Sequence, residues 1–168
     1  MIRPLLAFLL APLAAFAQPV LTGPAAYGGW STDAPGTRRL ITPDALPAPY
    51  TTGSASRSPA VIAPPRGVMP KVPPSFAVSL FAEGLDMPRT LHGSWNRARR
   101  TGYKVVRIRF EKDRPAGEYE DFLTGFALSG RSVWGRPTGV TVTAGGALLV
   151  SEDGNGRVWR ITHTGDRP

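Results

Sequence analysis

Two arginines in this chain each stand beside a tryptophan. Arg97 follows Trp95 and Asn96, and Arg136 follows Trp134 and Gly135. A planar anionic ligand needs guanidinium groups for its charges and flat side chains for its ring, and both segments have that chemistry. The competing reading is that Arg97 and Arg136 pair with loop carboxylates such as Glu152 or Asp153, which gives them a structural role. Taking a proton from a substrate hydroxyl would need a general base. The chain has only two histidines, His92 and His163. His92 is the candidate base, although a lone histidine at a strand end more often satisfies a backbone group.

The acidic residues lead less far. Glu118, Glu120 and Asp121 could gather a cation, but alternating carboxylates before Phe122-Leu123 read as a solvated turn. Glu152-Asp153-Gly154-Asn155-Gly156 lacks the spaced oxygen ligands and closing glutamate of an EF-hand loop, and reads as a hairpin turn. No metal-ligating set emerges. Arg97, Arg99, Arg100 and Lys104, interleaved with Trp95 and Tyr103, would form a polyanion-binding patch in an intracellular protein.

Strands must position these groups. Phe76, Val78 and Leu80 alternate with Ala77, Ser79 and Phe81, and Val106, Ile108 and Phe110 alternate with Val105, Arg107 and Arg109; this is the period of two of a strand. Val140 and Val142, then Leu148 and Val150, then Arg157 to Ile161 continue it. Ala144-Gly145-Gly146 and Asp153-Gly154-Asn155-Gly156 separate them with residues that tolerate positive φ. The expected product is an all-β fold with one four-stranded antiparallel meander. Residues 18–74 have neither apolar period and hold proline too densely for a helix or central strand. They predict a long disordered arm ahead of the sheet.

Arg3, an apolar run from Leu5 to Phe16 and the small-x-small site Ala15-Phe16-Ala17 predict a cleaved signal peptide over residues 1–17. The apolar run is too short to span a bilayer. A periplasmic or secreted location follows, with no transmembrane segment. The absence of cysteine excludes disulfide frameworks and thiolate chemistry. A net charge of +8 suits anionic surfaces, but export argues against nucleic acid as a partner.

Several motifs occur in a fixed order: His92-Gly93-Ser94-Trp95-Asn96-Arg97, Gly102-Tyr103-Lys104-Val105-Val106, Asp121-Phe122-Leu123-Thr124-Gly125-Phe126 and Trp134-Gly135-Arg136-Pro137. Upstream stand Pro35-Gly36, Arg39-Leu40-Ile41-Thr42, Leu46-Pro47-Ala48-Pro49-Tyr50 and Val72-Pro73-Pro74-Ser75-Phe76. In these the chain resembles the L-sorbosone dehydrogenase-type sugar dehydrogenases, which are similar to soluble glucose and aldose dehydrogenases. The resemblance implies a six-bladed β-propeller carrying pyrroloquinoline quinone, with a sugar substrate and a periplasmic electron acceptor. It also implies cofactor contacts from Arg97 and Arg136, with Trp95 and Trp134 beside them. In intact relatives a catalytic histidine and Ca²⁺ ligands come from blades that this chain lacks.

A blade takes about 40–45 residues, so six need roughly 250, and Phe76 to Ile161 supplies about a third of that. The resemblance therefore implies a propeller remnant over residues 75–163, deleted between Arg89 and Leu91 and inactive alone. The Phe76 strand would close the last blade. The second reading is a non-catalytic exported β module, or a decayed gene product, that binds an anionic saccharide.

Overall fold

The computed structural model describes residues 18–49, 51, 56, 58–85, 93–94 and 99–165. The expected signal peptide and the expected site residues His92, Trp95 and Arg97 lie outside them. Ten strands follow one another: β1 (Val20–Leu21), β2 (Arg38–Leu40), β3 (Ala60–Val61), β4 (Phe76–Ala82), β5 (Val105–Glu111), β6 (Arg114–Leu123), β7 (Ser132–Val133), β8 (Pro137–Val142), β9 (Leu148–Glu152) and β10 (Arg157–His163). The only helical segments among the described residues are short 3-10 turns at Gly23–Ala26, Trp30–Thr32 and Pro43–Ala45. No helix there is long and apolar enough to cross a membrane.

The fold is all-β, and its long strands pair antiparallel. One sheet has the order β4-β10-β9-β8 and the other β1-β2-β6-β5, while β3 and β7 form a two-stranded pair. In the first sheet β8, β9 and β10 run as the meander that the apolar alternation predicts. Gly146 and Gly156 take φ of 80° and 62° at its two hairpin turns, where a side chain would strain the backbone. β4 pairs with β10, Leu80 opposite Trp159 and Val78 opposite Ile161. The Phe76 strand thus closes this sheet from far away in sequence. Among the described residues the sheets do not close into a barrel or ring.

The second sheet departs from expectation. β5 is not part of the meander; it forms a hairpin with the ten-residue β6 across Lys112 and Asp113, which take φ of 47° and 64°. Both central residues of such a turn need positive φ. Glu118, Glu120 and Asp121, read as a solvated turn, lie within β6 instead, and Asp121 is fully buried. The reason is a set of counter-charges supplied by the arm and by β5. The arm is extended, as its composition leads one to expect, but it is not without pairing: β2 lies antiparallel to β6, with Arg39 opposite Tyr119.

One core joins the sheets. Leu123, Phe126, Val133, Trp134 and Val150 are completely buried, with Trp159 and Ile161 nearly so. Trp134 packs against Phe126 and edge-on to Trp159, with ring centres 5.0 and 5.8 Å apart. Phe76 of β4 meets Phe122 of β6 at 5.0 Å, edge to face. The indole N–H of Trp134 donates to the Gly125 carbonyl at 2.8 Å, as a buried indole must find an acceptor.

Candidate functional site

Arg136 and Trp134 are the expected cofactor contacts that fall within the described residues. Arg136 is buried, with its Nε 2.9 Å from Asp153 Oδ1. The Glu152 carboxylate accepts backbone N–H groups of Arg136 and Asn155 at 3.1–3.3 Å. Asn155 donates to the Trp134 carbonyl at 2.5 Å and to the Ile62 carbonyl at 3.1 Å. These bonds fasten the β9–β10 turn to the loop ahead of β8, so the Glu152–Gly156 segment is the hairpin turn that its sequence suggests. Burial pushes the Glu152 carboxyl above its ordinary value, and the N–H bonds offset part of that.

Pyrroloquinoline quinone would ask this segment for an uncommitted guanidinium and an open aromatic face. Arg136 is committed to Asp153, and both faces of Trp134 are inside the core, so this pair does not fit the group. No cluster of three or more His, Asp or Glu side chains suited to a metal ion occurs among the described residues. His163 stands edge-on to the Phe76 ring, 5.1 Å between centres. Arg100 is buried and donates to the carbonyls of Ser94 and Gly130.

The polar machinery that the sequence reading missed lies under the arm. Arg39 of β2 reaches Asp121 of β6 at 2.5 Å and Asp33 at 3.2 Å. Lys104, just before β5, stands 2.7 Å from both Asp33 and Asp121. Two carboxylates and two cations thus alternate in a buried cluster, which ties the arm to the β5–β6 hairpin. Burial raises the Asp33 carboxyl above its ordinary value, and the nearby Asp121 charge adds to this. Lys104 and then Arg39 pull it back.

Beside this cluster is a cavity of about 140 Å³. The arm contributes Trp30, Ser31, Asp33 and Lys71 to its wall; Tyr103, Thr124 and Gly125 form the other side. Tyr103 is 5% exposed and Thr124 1%. Their hydroxyls are buried with no hydrogen-bond partner among the described residues. A buried unpaired hydroxyl is costly and uncommon, and two occur in the lining of one cavity. Gly93 makes room for Tyr103: a Cβ there would come within 2.3 Å of the phenol ring. A signal existed in the sequence, since Arg38-Arg39 in a charge-poor arm are complementary to Glu118, Glu120 and Asp121. Nothing in one strand alone gave the pairing.

The fold and the cavity define an all-β protein of antiparallel, blade-sized sheets with a small polar recess between arm and hairpin. The chain belongs to the TrAA12-like family, whose model matches residues 70–164, more than half of the chain. It is also 35% identical over 71 residues to an uncharacterized protein of Borreliella burgdorferi; the alignment covers 42% of this chain and 19% of that one. The chain therefore spans about a fifth of that relative's length. No solved structure matches it.

These findings correct the resemblance to sorbosone and glucose dehydrogenases. The matching family is TrAA12-like and the relative is uncharacterized, so neither supports quinone-dependent sugar oxidation. There is a physical reason for the misreading. Of the motif residues behind it, Leu123, Phe126 and Trp134 are fully buried and pack the core. Such residues report how sheets stack, and function must be argued from a site.

Proposed function

We propose that this chain binds a small hydroxylated molecule in the cavity under the arm, without transforming it. The observation that carries this reading is a cavity whose wall brings together the polar side chains of Asp33, Lys71, Tyr103 and Thr124 beside Trp30, with the Tyr103 and Thr124 hydroxyls unpaired just behind its surface. A ligand that displaces the lining uncovers these two hydroxyls, and its own hydroxyls can then donate to or accept from them. A cavity of about 150 Å³ holds a benzene-sized ring, and the polar lining here favours a ring or short chain bearing hydroxyls. A sugar, the partner expected from the sequence, belongs to that class. Export to the periplasm or beyond, expected from residues 1–17, would expose the cavity to such molecules.

Binding rather than turnover is favoured by the state of Asp33. It is the one carboxylate among the described lining residues, and Lys104 and Arg39 both engage it. Both cations hold its Oδ1, which fixes the carboxylate in the cluster that ties the arm to the hairpin.

The test is a titration of the purified chain with monosaccharides and polyols, followed by NMR shifts and calorimetry. Saturable shifts should centre on Trp30, Tyr103 and Thr124. Tyr103→Phe and Thr124→Val should each weaken binding by a factor of roughly 2–10, the worth of one neutral hydrogen bond. Tyr103→Phe should also leave the ligand-free protein as stable as before or more so, because it removes an unpaired buried hydroxyl. Shifts that do not saturate, or that map to another face, would overturn the reading.

A further inference from the structure

We infer that the ligand of this cavity is a small hydroxy acid, whose carboxylate pairs with Lys71. This rests on the binding reading above and adds the ligand's charge to it. Lys71 and Thr124 form an isolated antiparallel bridge, each N–H donating to the other's carbonyl at 2.9 and 3.0 Å. Residues directly opposite in such a pair put their side chains on the same face. The ammonium and the unpartnered Thr124 hydroxyl therefore belong to one side of the bridge, and both residues line the cavity.

Gly125 helps to set the direction of the lysine. It takes a φ of 96°, and a Cβ built on it would lie 3.5 Å from Lys71 Cγ. The lysine stem thus runs over the bare glycine. Lys71 forms no ion pair with any described residue, whereas Lys104 and Arg39 are both taken by Asp33 and Asp121. Asp33 and Asp121 are matched by Arg39 and Lys104, which leaves Lys71, an exposed lysine in the cavity wall, as the surplus charge.

One surplus cation suits one negative charge. A phosphate monoester carries about −1.5 to −2 at neutral pH and would bring more charge than one exposed ammonium matches, whereas a carboxylate carries one. Lysine is a mobile point charge that does not impose bidentate geometry. Discrimination among hydroxy acids would accordingly come from the hydroxyls that meet Tyr103 and Thr124.

The experiment compares matched pairs by calorimetry on the full chain: gluconate against sorbitol, and glycerate against glycerol. The acid of at least one pair should bind about tenfold tighter than its polyol, as a charge-assisted contact would give, and added salt should erode the difference. Lys71→Met should bring the two affinities within about twofold of each other. Equal binding of acid and polyol by the unaltered protein, or a preference that survives in Lys71→Met, would overturn the inference while leaving the binding reading intact. Failure of every acid and polyol to bind would overturn both.

Discussion

The two sheets of this protein are held together by different forces. In β4-β10-β9-β8 the inward side chains are Trp159, Ile161 and Val150, packed with Trp134, and burial of apolar area supplies the cohesion. In β1-β2-β6-β5 the cross-strand contacts are charged: Arg38 to Glu118 at 2.5 Å, Arg39 to Asp121, and Arg107 to Glu120 at 2.8 Å. The apolar sheet carries one buried titrating group, Glu152 of β9, and the Trp159 N–H is buried in its core without a partner. The charged sheet buries ions at a desolvation cost. The cavity with its unpaired hydroxyls lies beside that sheet, where the arm meets the hairpin.

Trp134→Ala should give the largest loss of stability. It empties a fully buried site, removes two aromatic contacts and orphans the Gly125 carbonyl, which together should cost about 3–5 kcal/mol. Urea unfolding at two salt concentrations should show that loss unchanged by salt. Asp121→Ala should come next, at about 3 kcal/mol, because breaking a buried pair leaves Arg39 without its closest counter-charge. Lys104 and Arg39 keep Asp33, which limits the damage. The double change Arg39→Met with Asp121→Leu should recover much of the loss; a double variant as unstable as Asp121→Ala would show that the ion cluster itself, and not the orphaned arginine, sets the stability.

The same contrast explains what the sequence revealed. β4, β8, β9 and β10 announce themselves by alternation; in β9 and β10 it reports a buried face of Val150, Trp159 and Ile161, while in β8 the alternating Val140 and Val142 are exposed. Their turns carry glycine where φ is positive. β6 does not, because its buried positions include Glu120 and Asp121, which alternation counts as solvent-facing. Its meaning depends on Arg38 and Arg39, some 80 residues away, as the spacings of the Arg38–Glu118 and Arg39–Asp121 bonds record. The cavity was hidden for a related reason. Tyr103 and Thr124 look like ordinary sheet residues, and only the fold brings them into one cavity wall with Trp30 and Lys71.

The smallest effect expected concerns the carboxylate that the arm buries against the hairpin. Burial raises the Asp33 carboxyl above its ordinary value of 3.8, against the pull of Lys104 and Arg39. The folded protein then holds this proton to a higher pH than the unfolded chain does. Between 3.8 and the raised value, folding takes up a proton, and stability falls as pH rises. Below that window Asp33 imposes no penalty, and above it the penalty is complete and constant. Glu152 is shifted in the same direction by its own burial, so the total curve holds both contributions, and Asp33→Asn is needed to isolate one. Unfolding free energies of the unaltered protein and of Asp33→Asn should be compared from about pH 3 to about pH 8. The advantage of aspartate over asparagine should shrink as pH rises through the window and then level off. An advantage that grows with pH would mean that the ion pairs with Lys104 and Arg39 outweigh desolvation.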